Sequence, residues 1–188
     1  MTQAASKVTL DHPAFAAVKA AFPSKKFRGT EFRALSTLIV EPKDAHEVLA
    51  FLKNDPWCDF NFLSDVVGID YLGYPTPMLG RFAVSYVLVS HGRDDRFVVK
   101  TFVDPTLPTD GTAEDPALFL DSVTDLWPGA EWMEREVFDM FGIRFRNHPD
   151  LRRILLWAEY PAHPLRKDYP VRGRGEREQY RVVDRTSS

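Results

Sequence analysis

The sequence predicts an α+β fold: a two-layer domain, with a mixed or largely antiparallel sheet packed by helices, followed by an extended C-terminal arm. Two runs rich in Val, Phe and Tyr flank a five-residue polar loop, which predicts a β-hairpin over residues 81–104. Other segments carry apolar residues at helical spacing. Beyond Ile143, prolines, glycines and arginines replace both patterns and favour an extended segment that orders on a surface. We therefore divide the chain into a domain, 1–143, and an arm, 144–188.

The first third of the chain predicts two helices and a strand. Residues 11–23 read as a helix, with Asp11 as the N-cap and Pro13 in the first turn. The β-branched run at 34–40 predicts a short strand, and residues 41–55 predict a second helix. Together these two segments make a β–α step.

Two more helices are predicted close together. Residues 115–130 begin with Asp115 as a cap and Pro116 at the first helical position. The next helix begins after Gly129 and ends near Gly142, a residue suited to a left-handed cap. Its apolar stripe consists of Met133, Val137, Met140 and Phe141.

Charged side chains occupy another face of this last helix. Glu131, Arg135 and Asp139 are spaced four residues apart, which predicts an arginine between two carboxylates. Glu136 lies beside apolar positions and should seek a cation, for which one of the arginines at 152–153 is a candidate. Two interpretations stay open: a solvated charged face, or a partly buried network that fixes the helix against another chain.

Composition and charge exclude several classes of protein. Hydrophobic residues make up 44% and charged residues 27%, as in globular proteins, and no apolar run reaches membrane-spanning length. The first residues lack the pattern of a secretory signal, which predicts an intracellular protein. Cys58 is the only cysteine, so no intrachain disulfide and no four-cysteine iron–sulfur cluster can form. Residues 1–143 carry a net charge of −8 and residues 144–188 carry +5. Arginines alternate with acids in the arm, which favours a protein partner over nucleic acid.

The chain shows no recognisable catalytic constellation. No helical His stands three or four residues after Glu131, Glu134, Glu136 or Asp139, as a carboxylate–histidine metal site would require. The glycine-rich phosphate loops and the nucleophile elbow are also missing. The five histidines show no spacing typical of zinc ligands: His12, His46, His91, His148 and His163.

The segments "EREVFDMFGI" (134–143), "HPDLRRIL" (148–155) and "HPLRKDYP" (163–170) resemble a known family. They are similar to the 30-kDa subunit of the proton-pumping NADH:quinone oxidoreductase, respiratory complex I. The resemblance covers about residues 30–170. It departs from the family at Asn147 and Ala162, where the family commonly has glycine, a residue that adopts a positive φ at no steric cost.

The resemblance implies an α+β domain with a C-terminal arm and a role as scaffold and assembly element. It implies no cofactor in this chain, because NADH, FMN, the iron–sulfur clusters and quinone belong to neighbouring subunits. The partners would be the 49-kDa quinone-site subunit and adjacent iron–sulfur subunits, with no nucleic acid and no membrane span. The chain would lie peripherally on the cytoplasmic side of the inner membrane.

We expect the partner interface to combine ionic contacts with apolar side chains that fill shallow pockets. The candidate interface residues are Glu134, Arg135, Glu136, Asp139, His148, Arg152, Arg153, His163, Leu165, Arg166, Lys167, Asp168 and Tyr169.

Three alternatives stay open on the sequence alone. The first is the homologous subunit of a membrane-bound hydrogenase or of a ferredoxin- or plastoquinone-using complex, which neighbouring genes would distinguish. The second is a stand-alone enzyme that uses the helix carboxylates, which metal analysis and activity of the isolated chain would reveal. The third is a nucleic-acid-binding protein, whose binding would depend steeply on salt.

Overall fold

The computed structural model describes residues 11–176 and contains three α-helices and seven strands in that range. The helices are α1 (Pro13–Ala21), α2 (Ala45–Asn54) and α3 (Ala130–Phe141). The strands are β1 (Arg28–Phe32), β2 (Leu35–Val40), β3 (Phe62–Asp70), β4 (Phe82–Ser90), β5 (Asp95–Val103), β6 (Phe119–Asp121) and β7 (Arg144–Arg146).

Five strands form one mixed sheet in the order β1-β2-β5-β4-β3. Neighbouring strands are antiparallel except β2 and β5, which are parallel. The segment with α2 carries the chain from β2 to β3 at the opposite edge of the sheet, and the antiparallel strands β3, β4 and β5 then return to β2. The predicted hairpin is β4–β5, in which Val87 pairs with Val98. The predicted α+β fold with a mixed sheet is confirmed.

The hydrophobic core lies between one face of this sheet and the helices. Side chains alternate along a strand, so Val84, Tyr86 and Leu88 of β4 enter the core together. The core side of α2 contributes residues 48, 49 and 52, which are fully buried. On β3 the α3 helix approaches so closely that a Cβ at Gly68 would stand 2.5 Å from the Phe141 ring. The sequence predicted this stripe of α3, and the packing uses it.

The helix predicted at residues 115–130 is wrong. Residues 116–118 make one turn of 3-10 helix and residues 119–121 form β6, which pairs in parallel with β7. Asp115 does cap the short helix, because its Oδ1 accepts a hydrogen bond from Ala117 N (3.0 Å). Pairing with β7 satisfies backbone groups that a helix would have satisfied locally, and spacing within the segment cannot reveal that partner.

The predicted cap of α1 is also corrected. His12, not Asp11, precedes the helix, and its Nδ1 accepts from Ala14 N (3.1 Å). The Nε2 of His12 lies 3.0 Å from the Asp95 carboxylate at the start of β5. His12 therefore ties the first turn of α1 to the sheet. Within residues 11–176 no helix is long and apolar enough to cross a membrane.

Candidate functional site

Residues 163–166 of the arm cover the C-terminal end of α3. The helix ends at Phe141, and Gly142 caps it in the predicted left-handed conformation (φ 74°). The last four carbonyl groups of a helix lack intrahelical partners, and here each receives a donor from outside the helix. Gly142 N donates to Phe138 O (2.8 Å), His163 Nδ1 to Asp139 O (2.9 Å), Leu165 N to Met140 O (3.2 Å) and Arg166 Nε to Phe141 O (2.7 Å).

Asp139 is the centre of this capping arrangement. Its fully buried carboxylate forms an ion pair with Arg153 Nη1 (2.6 Å). Its Oδ2 also accepts backbone hydrogen bonds from residues 154–156, at 3.0, 2.8 and 2.9 Å. Burial by itself raises the pKa of Asp139, but the three backbone donors and Arg153 hold that pKa below its ordinary value. An ionised Asp139 thus fixes the path of the arm over α3.

Arg153, the ion-pair partner of Asp139, also binds the arm further along the chain. Its Nη2 donates to the carbonyl oxygens of Tyr160 (2.8 Å) and Ala162 (3.0 Å), so one guanidinium joins two parts of the arm. His163 is buried at 5% exposure, and burial lowers its pKa to about 4. The ring is therefore neutral at physiological pH and carries its proton on Nδ1, which donates to Asp139 O.

The predicted ladder of Glu131, Arg135 and Asp139 is wrong. The Arg135 side chain donates to the carbonyl oxygens of Arg152 (3.0 Å) and Arg153 (3.1 Å), and its guanidinium lies 5.6 Å from the Trp132 ring. Arg135 therefore binds carbonyl oxygens of the arm instead of the two carboxylates. The spacing of residues along the helix does not show these carbonyl groups.

The predicted pairing of Glu136 with one of the arginines at 152–153 is also wrong. Arg152 pairs with Asp150 (2.7 Å), and Arg153 pairs with Asp139. Glu136 itself is exposed on the outer side of α3.

Glu134 is buried without a close cationic partner. Its carboxylate accepts hydrogen bonds from Ser122 Oγ (2.7 Å) and Val123 N (2.8 Å), and His148 Nε2 stands 4.0 Å away. The same His148 nitrogen donates to Glu131 O (3.0 Å), and its Nδ1 accepts from Asp150 N. Burial raises the pKa of Glu134 to about 7, although the two hydrogen bonds oppose the rise. Glu134 thus ties α3 to the segment that follows β6.

A second network holds residues 166–168 of the arm. Arg166 is 4% exposed, and its Nη1 donates to Thr109 O (2.8 Å). The Arg81 guanidinium binds Asp70 at the end of β3 through two nitrogen atoms, at 3.2 and 3.0 Å. Arg81 also binds Asp168 of the arm (2.9 Å). Residues 166–168 are therefore attached to both α3 and the sheet.

The thirteen candidate interface residues divide into two groups. Seven have side chains that are buried within this chain: Glu134, Arg135, Asp139, His148, Arg153, His163 and Arg166. Tyr169 is half-buried. The other five are exposed: Glu136, Arg152, Leu165, Lys167 and Asp168. Their contact with a partner stays a prediction.

Sequence reasoning missed several members of these networks. Ser122, Asp70, Arg81 and Thr109 all contact the candidate residues, yet they lie between 12 and 97 positions away along the chain. Separations of that size leave no periodic signal.

The departure from the family at Asn147 correctly marked a position of unusual backbone geometry. This residue takes a positive φ of 64°, which Asn tolerates better than most residues.

The charged residues of the arm and α3 are arranged around one another. Among residues 11–176 no group of three or more His, Cys, Asp or Glu side chains is placed to hold a metal ion. The buried ionic groups instead fix a segment without regular secondary structure, residues 147–169, against α3 and the sheet. Leu155 and Leu165, at 62% and 53% exposure, project from that fixed segment.

Comparisons with known proteins find relatives of this chain. A family model described as "Respiratory-chain NADH dehydrogenase, 30 Kd subunit" matches residues 38–175. An NADH-quinone oxidoreductase subunit from Roseiflexus sp. is 41% identical over 154 residues, 82% of this chain and 80% of that protein. NADH-quinone oxidoreductase subunit 5 of Thermus thermophilus is 51% identical over 120 residues, 60% of this chain. That match spans about half, 52%, of the Thermus protein.

Solved structures show the same fold. The trypsin-resistant fragment (1–134) of Nqo5 is 36% identical, with a TM-score of 0.59 over 73% of this chain and 99% of the fragment. A chain of the membrane-bound sulfane sulfur reductase, an archaeal respiratory membrane complex, has a TM-score of 0.65 over 94% of both chains. Its identity is 20%, so it supports the fold alone. The family model covers most of this chain and includes all three signature segments, so the chain belongs to the family of the 30 Kd subunit of respiratory-chain NADH dehydrogenase.

Proposed function

We propose that this chain is a non-catalytic scaffold and assembly subunit in the peripheral arm of an NADH-quinone oxidoreductase, where it docks on the 49-kDa quinone-site subunit. Membership of the 30 Kd family and the names of the relatives from Thermus and Roseiflexus support this role. The electron carriers, NADH, FMN, iron–sulfur clusters and quinone, belong in this proposal to neighbouring subunits. The chain would act from the cytoplasmic side of the inner membrane as a peripheral component.

The observation that carries the proposal is that charged residues of the three family segments bind groups within this chain. Asp139, Arg153 and Arg166 all bind groups of this chain, and together they fix the arm on α3. A segment fixed in advance loses less conformational entropy when it binds than a flexible one does. The fixed arm can therefore present Leu165 and Lys167 to a partner at a low ordering cost.

Charge supports a docking role for the same surface. The arm is net positive, whereas the rest of the chain is net negative. Exposed cations guide association and select an acidic partner surface, while an apolar side chain seated in a pocket supplies most of the affinity. Leu165 and Lys167 lie two residues apart on the exposed side of the arm and provide one of each.

Co-expression with the 49-kDa subunit from the same genome, followed by size-exclusion chromatography, tests the proposal. The full chain should co-elute with that subunit. The double variant Leu165→Asp with Lys167→Glu should elute apart from it, because the apolar anchor and the exposed cation are both lost. A matched control, Trp57→Asp with Lys19→Glu, makes the same charge change on the α1 side and should still co-elute.

Two results would count against the proposal. If the full chain never co-elutes with the 49-kDa subunit, that partner is wrong. If the arm variant co-elutes as well as the control does, docking does not use the exposed side of the arm.

A further inference from the structure

The main sheet has one face that the helices do not cover. The strand residues of the hydrophobic core all project from the other face, toward α1, α2 and α3. Paired residues of neighbouring strands project to the same side, so the pairs Val87–Val98 and Thr37–Val98 place β4, β5 and β2 in register on the uncovered face. We call this surface the open sheet face and define it by Leu35, Ile39, Val67, Val87, Val89 and Val98.

The open sheet face is apolar, although water-facing sheet surfaces ordinarily are not. A sheet with one solvated face usually alternates apolar residues toward the core with polar residues toward water. Here apolar side chains occupy more than half of the outward positions, beside polar ones such as Thr37 and Ser85, and none of the six defining residues belongs to the core cluster. Leu35 and Val67 are 38% and 37% exposed, while Val98 at the centre is shielded by its neighbours. A contiguous apolar surface of this kind marks a contact with another molecule.

Among residues 11–176, the segment after β3 covers one end of the face. Tyr71, which follows β3, packs against Phe102 with ring centroids 5.7 Å apart, and its hydroxyl accepts a hydrogen bond from Lys100 Nζ (3.2 Å). At the other end, Phe62 is 47% exposed, and at the β1 edge Phe32 is 73% exposed. The described residues therefore leave Phe32, Leu35, Phe62 and Val67 of this face exposed.

We infer that the open sheet face is a second protein interface, distinct from the arm, which receives an apolar surface with an acidic rim on another subunit of the assembly. The charged residues at the edges of this face set the sign of its rim: Arg28 and Arg96 are exposed there, against the single strand carboxylate Asp65. Interfaces place complementary charges around an apolar centre. The inference goes beyond the proposed function and rests on it only in that the chain is a subunit of an assembly.

Area and charge argue against a second copy of this chain as the occupant. Five strands about 4.8 Å apart, each giving about six residues of about 3.3 Å, span on the order of 500 Å². A stable interface takes about 800 Å² from each partner, so the face is too small to hold a dimer alone. Two copies would also bring the cations of one rim against the cations of the other. A subunit that is also held through its arm needs only part of its contact area here.

Thiol labelling of the assembled complex tests the inference. The only native thiol, Cys58, is 2% exposed, and burial raises its pKa to about 11, so it reacts slowly near neutral pH. Leu35→Cys and Val67→Cys would place reactive thiols on the open sheet face. Maleimide should label both thiols in the isolated full chain. In the complex it should label them at least about tenfold more slowly, because an interface core excludes water. Lys19→Cys on α1 supplies a comparison site away from the face.

The outcomes separate this inference from the proposed function. Both face thiols reacting equally in the complex and in the isolated chain would overturn the inference and leave the proposed function intact. Protection that appears in the isolated chain and grows with its concentration would mean that a second copy occupies the face, which also overturns it. A wild-type chain that never copurifies with its assembly would overturn both.

Charge reversal tests the acidic rim separately. Arg28→Glu with Arg96→Glu should reduce copurification with the assembly about tenfold, with a weaker dependence on salt. The control, Lys19→Glu with Lys43→Glu, makes the same charge change on the helix side and should copurify normally. Equal recovery of the two double variants would overturn the assignment of an acidic partner.

Discussion

At the scale of single residues, two carboxylates of α3 behave in opposite ways. Asp139 faces Arg153 and three backbone donors, and these hold its pKa below the ordinary range although burial alone would raise it. Glu134 has two hydrogen-bond donors and no close cation, so burial raises its pKa to about 7. The two residues are five positions apart, and the difference comes from what each one faces. The family resemblance identified both as candidates, but the sequence could not assign these environments.

The raised pKa of Glu134 predicts a stability change with pH. A carboxyl whose pKa is higher in the folded state binds more protons folded than unfolded between about pH 4.5 and 7. Ionisation of Glu134 therefore lowers the free energy of unfolding as pH rises through that window, by about 3 kcal/mol in total at most. We expect Glu134→Gln to remove this loss, because Gln Oε1 can still accept from Val123 N and its amide can donate to Ser122 Oγ.

Urea unfolding of both proteins from pH 4.5 to 8 measures this effect as the difference between variant and wild type. His163 requires that comparison, because its lowered pKa of about 4 makes stability rise between about pH 4 and 6.5, the opposite direction. Glu136→Gln, on the exposed side of the same helix, should leave the wild-type curve unchanged. A Glu134→Gln curve parallel to that of wild type would refute the assigned environment.

At the scale of elements, the junction between α3 and the arm depends on one glycine. Gly142 has a φ of 74°, and a Cβ there would stand 2.3 Å from Arg166 Nη2 and 2.7 Å from the His163 ring. The helix stripe and its glycine end were predictable because both are local patterns. The strand pair β6–β7 and the donors from residues 163–166 were not, because they join segments far apart along the chain.

Gly142→Ala should therefore destabilise the fold. The added methyl group favours a different φ and displaces two side chains that cap α3, which together should cost about 2 to 3 kcal/mol. Gly129→Ala is the matched control at the other end of the same helix, where φ is −63° and a Cβ meets nothing within 4 Å. Thermal unfolding should show a lower Tm for the first variant and an unchanged or higher Tm for the second. Equal Tm values would mean that the capping contacts contribute little.

At the scale of the whole molecule, the arm is attached to the rest of the chain at several points. Asp139 binds residues 154–156, Phe141 O binds Arg166, and Asp70 binds the Lys167 backbone. Composition predicted a segment without regular structure that lies on a surface. It did not show that this surface includes α3 of the same chain, because prolines and arginines fit either an internal or an external partner. The division at residue 143 stays a prediction.

Hydrogen exchange of the isolated full chain tests most directly whether Asp139 holds the arm on α3 without a partner. The amides of Ile154, Leu155 and Leu156 should exchange slowly, because each donates to Asp139 Oδ2. In Asp139→Asn the same amides should exchange much faster, since loss of a buried ion pair costs about 3 kcal/mol, roughly a hundredfold in the opening equilibrium. Exchange of the three wild-type amides at the rate of an unstructured peptide would contradict the account and would mean that the arm takes its place only on a partner.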